Sequence, residues 1–336
     1  MTAKNQGRRK VPTGRFFCSG PGAARHPSAE SEKTLSRHRF LGATLASVAL
    51  SSMGILTSHA AEAEKPAGDS AALRAITYNV YGFNAFPTKA AGDKLAVAAK
   101  IADELAGYEP DLVVFQESPN STPEAIQRVA NRLGMKSILF GSGGCLLTRL
   151  PVPESTEGIS IAGDAKPEEL FPKAKGKFVG RAVLVWGAKQ LVVYTTHLHP
   201  FPDAASAALR QREIAQLVRV MRRDQEAGLS VLVLGDMNHT PDAVEYRQWI
   251  GAGFTDSFAA KGSGVAETRL YDGPAKPPVK RIDYIFAAGP VAAKVTEVRV
   301  LLEGRVRADS AAPNPAYALS DHLPLLAVFG PSSRKN

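Results

Sequence analysis

The sequence predicts an α/β protein in which one β-sheet packs against another and helices lie outside. Short apolar segments that end in polar residues are typical of buried strands, and they alternate along the chain with segments of helical periodicity. Such an alternation favours layered sheets and helices over a lone helical bundle. With 336 residues, 44% of them hydrophobic and 22% charged, the composition is that of an ordinary globular protein and excludes a disordered, collagen-like or coiled-coil chain.

Residues 1–60 differ in charge from the rest of the chain. They hold 9 of the 41 basic and 2 of the 32 acidic residues, which leaves 32 basic and 30 acidic residues in a nearly neutral body. Bulk charge therefore gives no argument for nucleic-acid binding. A basic segment at 36–41 runs into an apolar stretch at 41–56, which is shorter than the roughly 20 residues of a membrane span.

Small residues at Ser58 and Ala60 follow the apolar stretch, and this order is typical of an export signal. The string at 36–41 resembles the twin-arginine signal, with His38 where the second Arg usually stands. We expect a cleaved leader and a periplasmic or secreted protein; an uncleaved N-terminal anchor is the alternative. The expected organisation is a leader (1–60), a short linker (61–72), one domain (73–330) and a tail (331–336).

The elements of the domain follow from apolar periodicity and from turn residues. The longest helix carries Ile214, Leu217 and Met221 on one face and ends before Gly228. No linker divides the body, so we expect one domain. We expect no membrane span in the mature chain, a monomer, and no stable protein partner. The predicted strands are 73–80, 111–117, 183–186, 190–196, 229–235, 281–286 and 323–329; the helices are 90–105, 123–133 and 204–226; the loops are 262–278 and 309–315.

Polar residues of a few types gather at the ends of these strands. Because same-side ends of neighbouring strands lie close together, we expect these residues to line one cleft. All four histidines outside the leader belong to these clusters, namely His197, His199, His239 and His322. The other cluster members are Asn79, Glu117, Asp236, Asn238, Asp283 and Asp321.

The cluster residues fall into two chemical classes. The carboxylates of Glu117, Asp236 and Asp321, with the amide oxygens of Asn79 and Asn238, form a set of hard oxygen ligands. Such ligands suit Mg²⁺, with Mn²⁺ or Ca²⁺ as alternatives, rather than a soft metal.

The second class serves proton transfer. His197 and His322 suit proton transfer or donation to a phosphate oxygen, and a carboxylate such as Asp283 would favour an imidazolium and fix its tautomer. Together with a hard cation, these groups predict metal-assisted hydrolysis of a phosphate ester.

Each cluster also has a purely structural interpretation. Asn79 could be a turn residue, Asp283 could pair with Arg281, and the Ser-Asp-His string that ends at His322 could cap a helix. His239 could be structural. These alternatives become less plausible when all clusters must occur together, in order, at strand ends.

The ordered series of motifs resembles the endonuclease/exonuclease/phosphatase superfamily. The series consists of Asn79, Gln116-Glu117, Thr196-His197-Leu198, Gly235-Asp236-Met237-Asn238, Arg281-Ile282-Asp283-Tyr284 and Ser320-Asp321-His322, and the segment 144–151 is similar to another strand of the family. The resemblance covers about 73–329. It implies a four-layer α/β-sandwich of two face-to-face mixed or antiparallel sheets with outer helices.

The resemblance also implies roles for individual residues. A divalent metal, usually Mg²⁺, would lie on Glu117 with Asn79 and Asp321 nearby, and water would attack phosphorus in line. Asp236 and His322 would activate that water or stabilise the developing charge. The remaining roles are orientation of His322 by Asp283 and binding of phosphate oxygens by Asn238 and His197.

The sequence departs from the pattern at Tyr81, where repair-type nucleases carry Asp, which argues against the abasic-site repair branch. No basic, aromatic-rich insertion and no long apolar hairpin is evident. The predicted substrate is a phosphate ester, either a diester, nucleic acid included, or a monoester. The alternatives are a phospholipid or sphingomyelin head-group hydrolase and a non-catalytic binding module of the same fold.

Overall fold

The computed structural model describes residues 72–87, 93–118, 122–140, 144–153, 159–160, 179–271, 273, 275–302, 307–308 and 316–330. The predicted leader, the linker up to residue 71, the tail and the loop 309–315 lie outside these ranges. Among the residues described, no helix combines the length and the apolar composition needed to cross a membrane.

Strands and helices alternate along the described chain. The strands are β1 (Leu73–Asn79), β2 (Leu112–Gln116), β3 (Lys136–Phe140), β4 (Gly144–Thr148), β5 (Ile159–Ser160), β6 (Val179–Trp186), β7 (Lys189–His197), β8 (Ser230–Asp236), β9 (Thr255–Asp256), β10 (Asp283–Ala288), β11 (Val295–Val300), β12 (Arg307–Ala308), β13 (Ala316–Tyr317) and β14 (Leu325–Phe329). The helices are α1 (Lys94–Ala106), α2 (Pro123–Leu133), α3 (Ala204–Glu226), α4 (Val244–Gly251) and α5 (Ser257–Lys261), with 3₁₀ turns at Tyr81–Phe83 and Gly289–Lys294.

The strands form two large mixed sheets. The first has the order β11-β14-β1-β2-β4-β3 and the second the order β5-β6-β7-β8-β10-β9, and β12 pairs with β13 in a separate small ladder. In each large sheet one central pair is parallel, β1 with β2 and β7 with β8, and the remaining pairs are antiparallel. The predicted pairing of mixed sheets is confirmed.

Three apolar cores separate the layers. The central core joins the sheets: Leu73 and Leu112 from the first meet Leu232 and Ile285 from the second. A second core packs α1 and α2 on the outer face of the first sheet, and a third packs α3 and α4 on the outer face of the second. Burial of apolar surface on both faces of each sheet stabilises this stack, and the four-layer sandwich is confirmed.

The period-two alternation of the strands decides which polar residues face the interior between the sheets. In β8, Leu232 and Leu234 belong to the central core, whereas Val231 and Val233 belong to the outer one. Asp236, the last residue of the strand, therefore follows the inner face.

The strand register extends this row of polar residues across the second sheet. His197 of β7 pairs with Asp236, and Asp283 of β10 pairs with Asp236 from the other side. Gly235 permits the close approach of β7 and β8, since a Cβ atom there would lie 1.9 Å from the Thr196 carbonyl oxygen. Three strands thereby present one row of site residues.

Some element boundaries differ from the sequence prediction. Helix α1 begins at Lys94, where the Asp93 side chain accepts a hydrogen bond from Leu95 N and caps the helix. Residues 90–92 of the predicted helix lie outside the described residues. The predicted strand 281–286 begins instead at Asp283 and extends to Ala288. Strands β3 and β11 and helix α4 were not predicted.

Candidate active site

Asn79 connects the two sheets at the site. Its Nδ2 donates to Glu117 Oε1 and to Asp236 Oδ2, each at 3.1 Å. Asn79 and Asp236 end β1 and β8 on the facing inner surfaces and are fully buried, with 0% and 1% exposure. Asn79 Oδ1 also accepts a hydrogen bond from Tyr81 N at 3.1 Å, so this residue both supports the turn that follows β1 and contacts the opposite sheet.

Glu117 reaches the site through an unusual backbone conformation. Gln116 pairs with Asn79 in the ladder and shares its face, so a continued strand would place Glu117 on the opposite face. Glu117 instead has φ 53°, in the left-handed region that non-glycine residues seldom occupy. This turn directs the exposed carboxylate to Asn79. Backbone strain of this kind is common at functional sites.

Two imidazoles approach the carboxylate of Asp236. His197 Nε2 lies 3.5 Å and His322 Nε2 lies 3.6 Å from Asp236 Oδ2. Asp236 Oδ1 accepts a hydrogen bond of 3.0 Å from Asn238 N. Asn238 also has a positive φ, 52°, and its Nδ2 is held by the Leu198 carbonyl at 3.0 Å. The loop after β8 therefore fixes both Asp236 and Asn238.

His322 is oriented from behind by Asp283. His322 Nδ1 lies 2.8 Å from Asp283 Oδ2, and the Thr268 hydroxyl donates to the same oxygen at 2.5 Å. Arg281 pairs with Asp256 at 2.7 Å, so the alternative pairing of Asp283 with Arg281 is wrong.

Ser320 ties the His322 segment to β1. Its hydroxyl donates to the Asn79 carbonyl at 2.6 Å and accepts from His322 N at 3.1 Å. The described residues that follow form β14, not a helix, so the capping interpretation of Ser-Asp-His is also wrong. The Ser320 hydroxyl therefore holds the end of β1 at Asn79 next to the segment that carries His322.

The pKa values of the two central groups, Asp236 and His322, are both raised by their surroundings. Burial raises the pKa of Asp236 above its ordinary range, and Asp283 adds to this while His322 opposes it. Burial disfavours the imidazolium of His322, but the charges of Asp283 and Asp236 outweigh it and raise its pKa to about 9. His322 is therefore charged at neutral pH.

The oxygen ligands fit a hard cation. Burial, and to a smaller extent the charge of Glu117, raises the pKa of Asp321 above its ordinary value, so the two carboxylates repel each other. A divalent cation would relieve such repulsion. Asn79 lies beside Glu117, but its Oδ1 accepts a hydrogen bond from Tyr81 N at 3.1 Å and its Nδ2 faces Glu117. Asp236, Asp283 and His322 also place ligand atoms within 4.8 Å of one another, but His322 and Thr268 both contact Asp283 Oδ2, and His322 offers its Nδ1 to that oxygen.

A cavity of about 320 Å³ opens over these groups. Several residues that line it were not predicted as site residues from the sequence, namely Tyr81, Phe201, Arg269, Tyr271 and Lys280. Arg269 Nη1 lies 2.8 Å from Asp321 Oδ2, so one oxygen of the predicted metal ligand is already paired. The segment 262–278, predicted as a featureless loop, thus supplies cavity wall and, through Thr268, part of the His322 support.

Two clustered histidines lie away from the cavity. His239 is buried, its ring lies 5.1 Å from the ring of Tyr284, and burial lowers its pKa to about 3. The structural interpretation of His239 fits these contacts. His199 N donates to Glu213 and its ring contacts Phe201, so it supports the cavity wall.

A sequence profile described as the Endonuclease/Exonuclease/phosphatase family matches residues 76–322. The chain belongs to the endonuclease/exonuclease/phosphatase family. Members of this family hydrolyse phosphate esters, and the chain is an enzyme of that type. Enzymes of the family typically depend on divalent metals, which agrees with the ligand set around Glu117.

Two solved structures from Bacteroides thetaiotaomicron share the fold of this family. An endonuclease/exonuclease/phosphatase family protein is 18% identical, with a TM-score of 0.60 over 77% of this chain and 98% of that chain. A mannosyl-6-phosphatase is 17% identical, with a TM-score of 0.62 over 76% of this chain and 98% of that chain.

A sequence relative is the inositol phosphosphingolipids phospholipase C of Saccharomyces cerevisiae. It is 28% identical over 134 residues, which make up 38% of this chain. The matched stretch spans 28% of the length of the yeast protein.

The charge of His322 predicts a pH-dependent stability. Because its folded pKa, about 9, lies above the ordinary 6.5, its stabilising contribution is complete below pH 6.5 and is lost as the pH rises through 9. The free energy of unfolding should fall over this range by on the order of 1 kcal/mol per pH unit at most. Urea unfolding of the metal-free protein, in EDTA, measures it.

His322→Asn should abolish this slope between pH 6.5 and 9. His239 provides the control, because its pKa of about 3 acts with opposite sign and only below pH 6.5. His239→Asn should therefore retain the alkaline slope. A slope that persists in His322→Asn would assign the pH dependence to another group.

Proposed function

We propose that the chain is an exported, divalent-metal-dependent phosphoesterase that hydrolyses its substrate by in-line attack of an activated water. The observation that supports this most is the arrangement around Asp236. One carboxylate is contacted by Asn79 from the opposite sheet and by two imidazoles, and His322 is held from behind by Asp283. An ion-pair network with a purely structural role would not need to open into a cavity.

The metal would be held by Glu117, with Asn79 and Asp321 beside it. Mg²⁺ is the ion we propose, because it commonly binds one or two carboxylates and leaves the remaining positions to water and substrate phosphate. Bound there, it would neutralise charge on the phosphate oxygens. Arg269 holds the second oxygen of Asp321 and keeps this carboxylate in place.

The side chains divide the proton transfers between them. His322 is protonated near neutral pH, so it suits donation to a phosphate oxygen rather than removal of a proton. Asp236 then accepts the proton of the attacking water as the oxygen–phosphorus bond forms. The bond from phosphorus to the leaving oxygen breaks, and that oxygen takes a proton from the His322 imidazolium. His197 lines the cavity beside Asp236 and suits a hydrogen bond to a phosphate oxygen.

The cavity supports a small substrate. Its volume of about 320 Å³ lies at the lower end of ligand pockets, enough for a phosphate and one ring-sized group. Its lining includes acidic residues as well as Arg269 and Lys280, and the body of the chain is near neutral. A phosphate monoester or a small diester is therefore favoured over duplex nucleic acid.

A phospholipid head-group hydrolase is the second candidate. The similarity to the yeast phospholipase C over 134 residues favours it, and Phe201 and Tyr271 expose large rings at the cavity mouth. Hydrolysis of sphingomyelin in vesicles, at a rate above that of soluble esters, would support this candidate.

A substrate panel tests the proposal. Purified protein is assayed with Mg²⁺ or EDTA against p-nitrophenyl phosphate, bis-p-nitrophenyl phosphate, inositol phosphates, sphingomyelin, single-stranded RNA and plasmid DNA. We expect turnover of small esters with Mg²⁺ and its loss in EDTA. Activity unchanged by EDTA would overturn the metal dependence, and mass spectrometry of the exported protein, with an N-terminus at Met1, would overturn leader cleavage.

A further inference from the structure

A short two-stranded segment forms one wall of the cavity. Arg269 N and Thr268 N donate to the Lys280 carbonyl at 3.0 and 2.8 Å, and Val279 N donates to the Arg269 carbonyl at 2.9 Å. Arg269 also forms a bridge with His322 on its other side. The segment is therefore anchored in the site itself, and residues at its base keep a fixed position relative to His322.

Two cations and one aromatic ring project from this segment into the cavity. Tyr271 is 59% exposed, and its ring centroid lies 5.4 Å from Lys280 Nζ and 5.9 Å from Arg269 Cζ. All three residues line the cavity together with Asp321 and His322. Such a wall can hold a ligand that carries both an anion and a ring, because the amine pairs with the anion and the exposed ring packs against the ring of the ligand.

The two cations differ in their partners. Arg269 is neutralised by Asp321 at 2.8 Å. Lys280 forms no ion pair with any residue that the structure describes, and its ring contact leaves its charge unbalanced. Asp321, the acidic residue next to this wall, is already paired with Arg269, so a second anion would find its complement at Lys280.

We propose that Lys280 and Tyr271 form a subsite for a second anionic group of the substrate, carried on or beside a ring that packs against Tyr271. This inference rests on the proposed phosphoesterase activity and narrows its substrate to small esters with two anionic groups. The scissile phosphate occupies the floor at Asp236 and His322, and the second anion lies at the wall. Lys280 is thereby a specificity residue rather than a catalytic one.

Matched pairs of substrates test the subsite and show whether its ligand is a sugar phosphate or a nucleotide. Glucose 6-phosphate is compared with glucose 1,6-bisphosphate, and adenosine 3′-monophosphate with adenosine 3′,5′-bisphosphate. For at least one pair we expect kcat/KM of the native protein to be about tenfold higher for the bisphosphate, mainly through KM, the usual scale of one charge-assisted hydrogen bond. The pair that shows the preference identifies a sugar or a nucleoside source.

Lys280→Met should abolish this preference, since the second anion loses its charged partner. Lys280→Arg should restore most of the preference. Lys276→Met is the matched control, because Lys276 belongs to the same segment but does not line the cavity. Tyr271→Leu should raise KM for both members of a pair.

The outcomes distinguish the two proposals. Hydrolysis of the monophosphates without any preference for bisphosphates, or a preference that survives in Lys280→Met, overturns the subsite and leaves the phosphoesterase intact. Absence of hydrolysis of every compound with Mg²⁺ present overturns the proposed function and the subsite with it.

Discussion

His322→Ala is expected to lower kcat by at least about 10²-fold, the usual scale for one group that stabilises charge in the transition state. The imidazole lies 3.6 Å from Asp236 and is held in its charged form by Asp283. Alanine removes that positive charge and leaves two buried carboxylates facing each other. Steady-state kinetics on p-nitrophenyl phosphate, at saturating Mg²⁺, measure the change.

Two further variants separate catalysis from packing. His239→Asn removes another buried imidazole, one that does not line the cavity, and should retain most of the activity. Asp283→Asn should reduce kcat and move the alkaline limb of the pH profile to lower pH, because the imidazolium loses its charged partner. Near-normal turnover in His322→Ala would remove His322 from the catalytic groups.

Glu117→Gln is expected to lower turnover by at least about 10²-fold and to weaken Mg²⁺ binding. The amide oxygen of Gln can still accept the hydrogen bond that Asn79 Nδ2 donates, so the change removes charge with little change of shape. Isothermal titration with Mg²⁺ gives a measure of the metal site that does not depend on turnover.

The chain offers a close control for this variant. Glu109 is also exposed and also has a positive φ, 46°, but it does not line the cavity. Glu109→Gln should leave Mg²⁺ binding and turnover unchanged. If Glu117→Gln bound Mg²⁺ as tightly as the native protein, the metal would have to be placed elsewhere.

Most of the site could be predicted from the sequence because it lies at strand ends. Apolar runs mark β2 and β8, and the polar residues that end them are adjacent to the strand pattern in the chain. The position of Glu117 depends on more than this pattern. Alternation alone assigns it to the wrong face, and only its left-handed backbone brings it to Asn79.

The cavity wall could not be predicted in the same way. The segment of Arg269 and Tyr271 lacks periodicity, since its position depends on single bridges to Lys280 and His322 rather than on a buried face. The mixture of basic and aromatic residues there was the available signal. Strand β3 was missed for a similar reason: it pairs at a sheet edge and exposes Lys136 and Leu139.

The residues of the site come from both β-sheets of the sandwich. Asn79 belongs to the first sheet and His197, Asp236 and Asp283 belong to the second. Asn79 contacts Asp236 at 3.1 Å, and His322, which precedes β14 of the first sheet, contacts Asp283 at 2.8 Å. A small sliding motion of one sheet over the other would separate these two sets of site residues, while the hydrogen bonds within each sheet stayed intact. The rate of turnover therefore depends on how the two sheets are aligned. On gradual heating, we expect activity to be lost at a lower temperature than the secondary structure measured by circular dichroism.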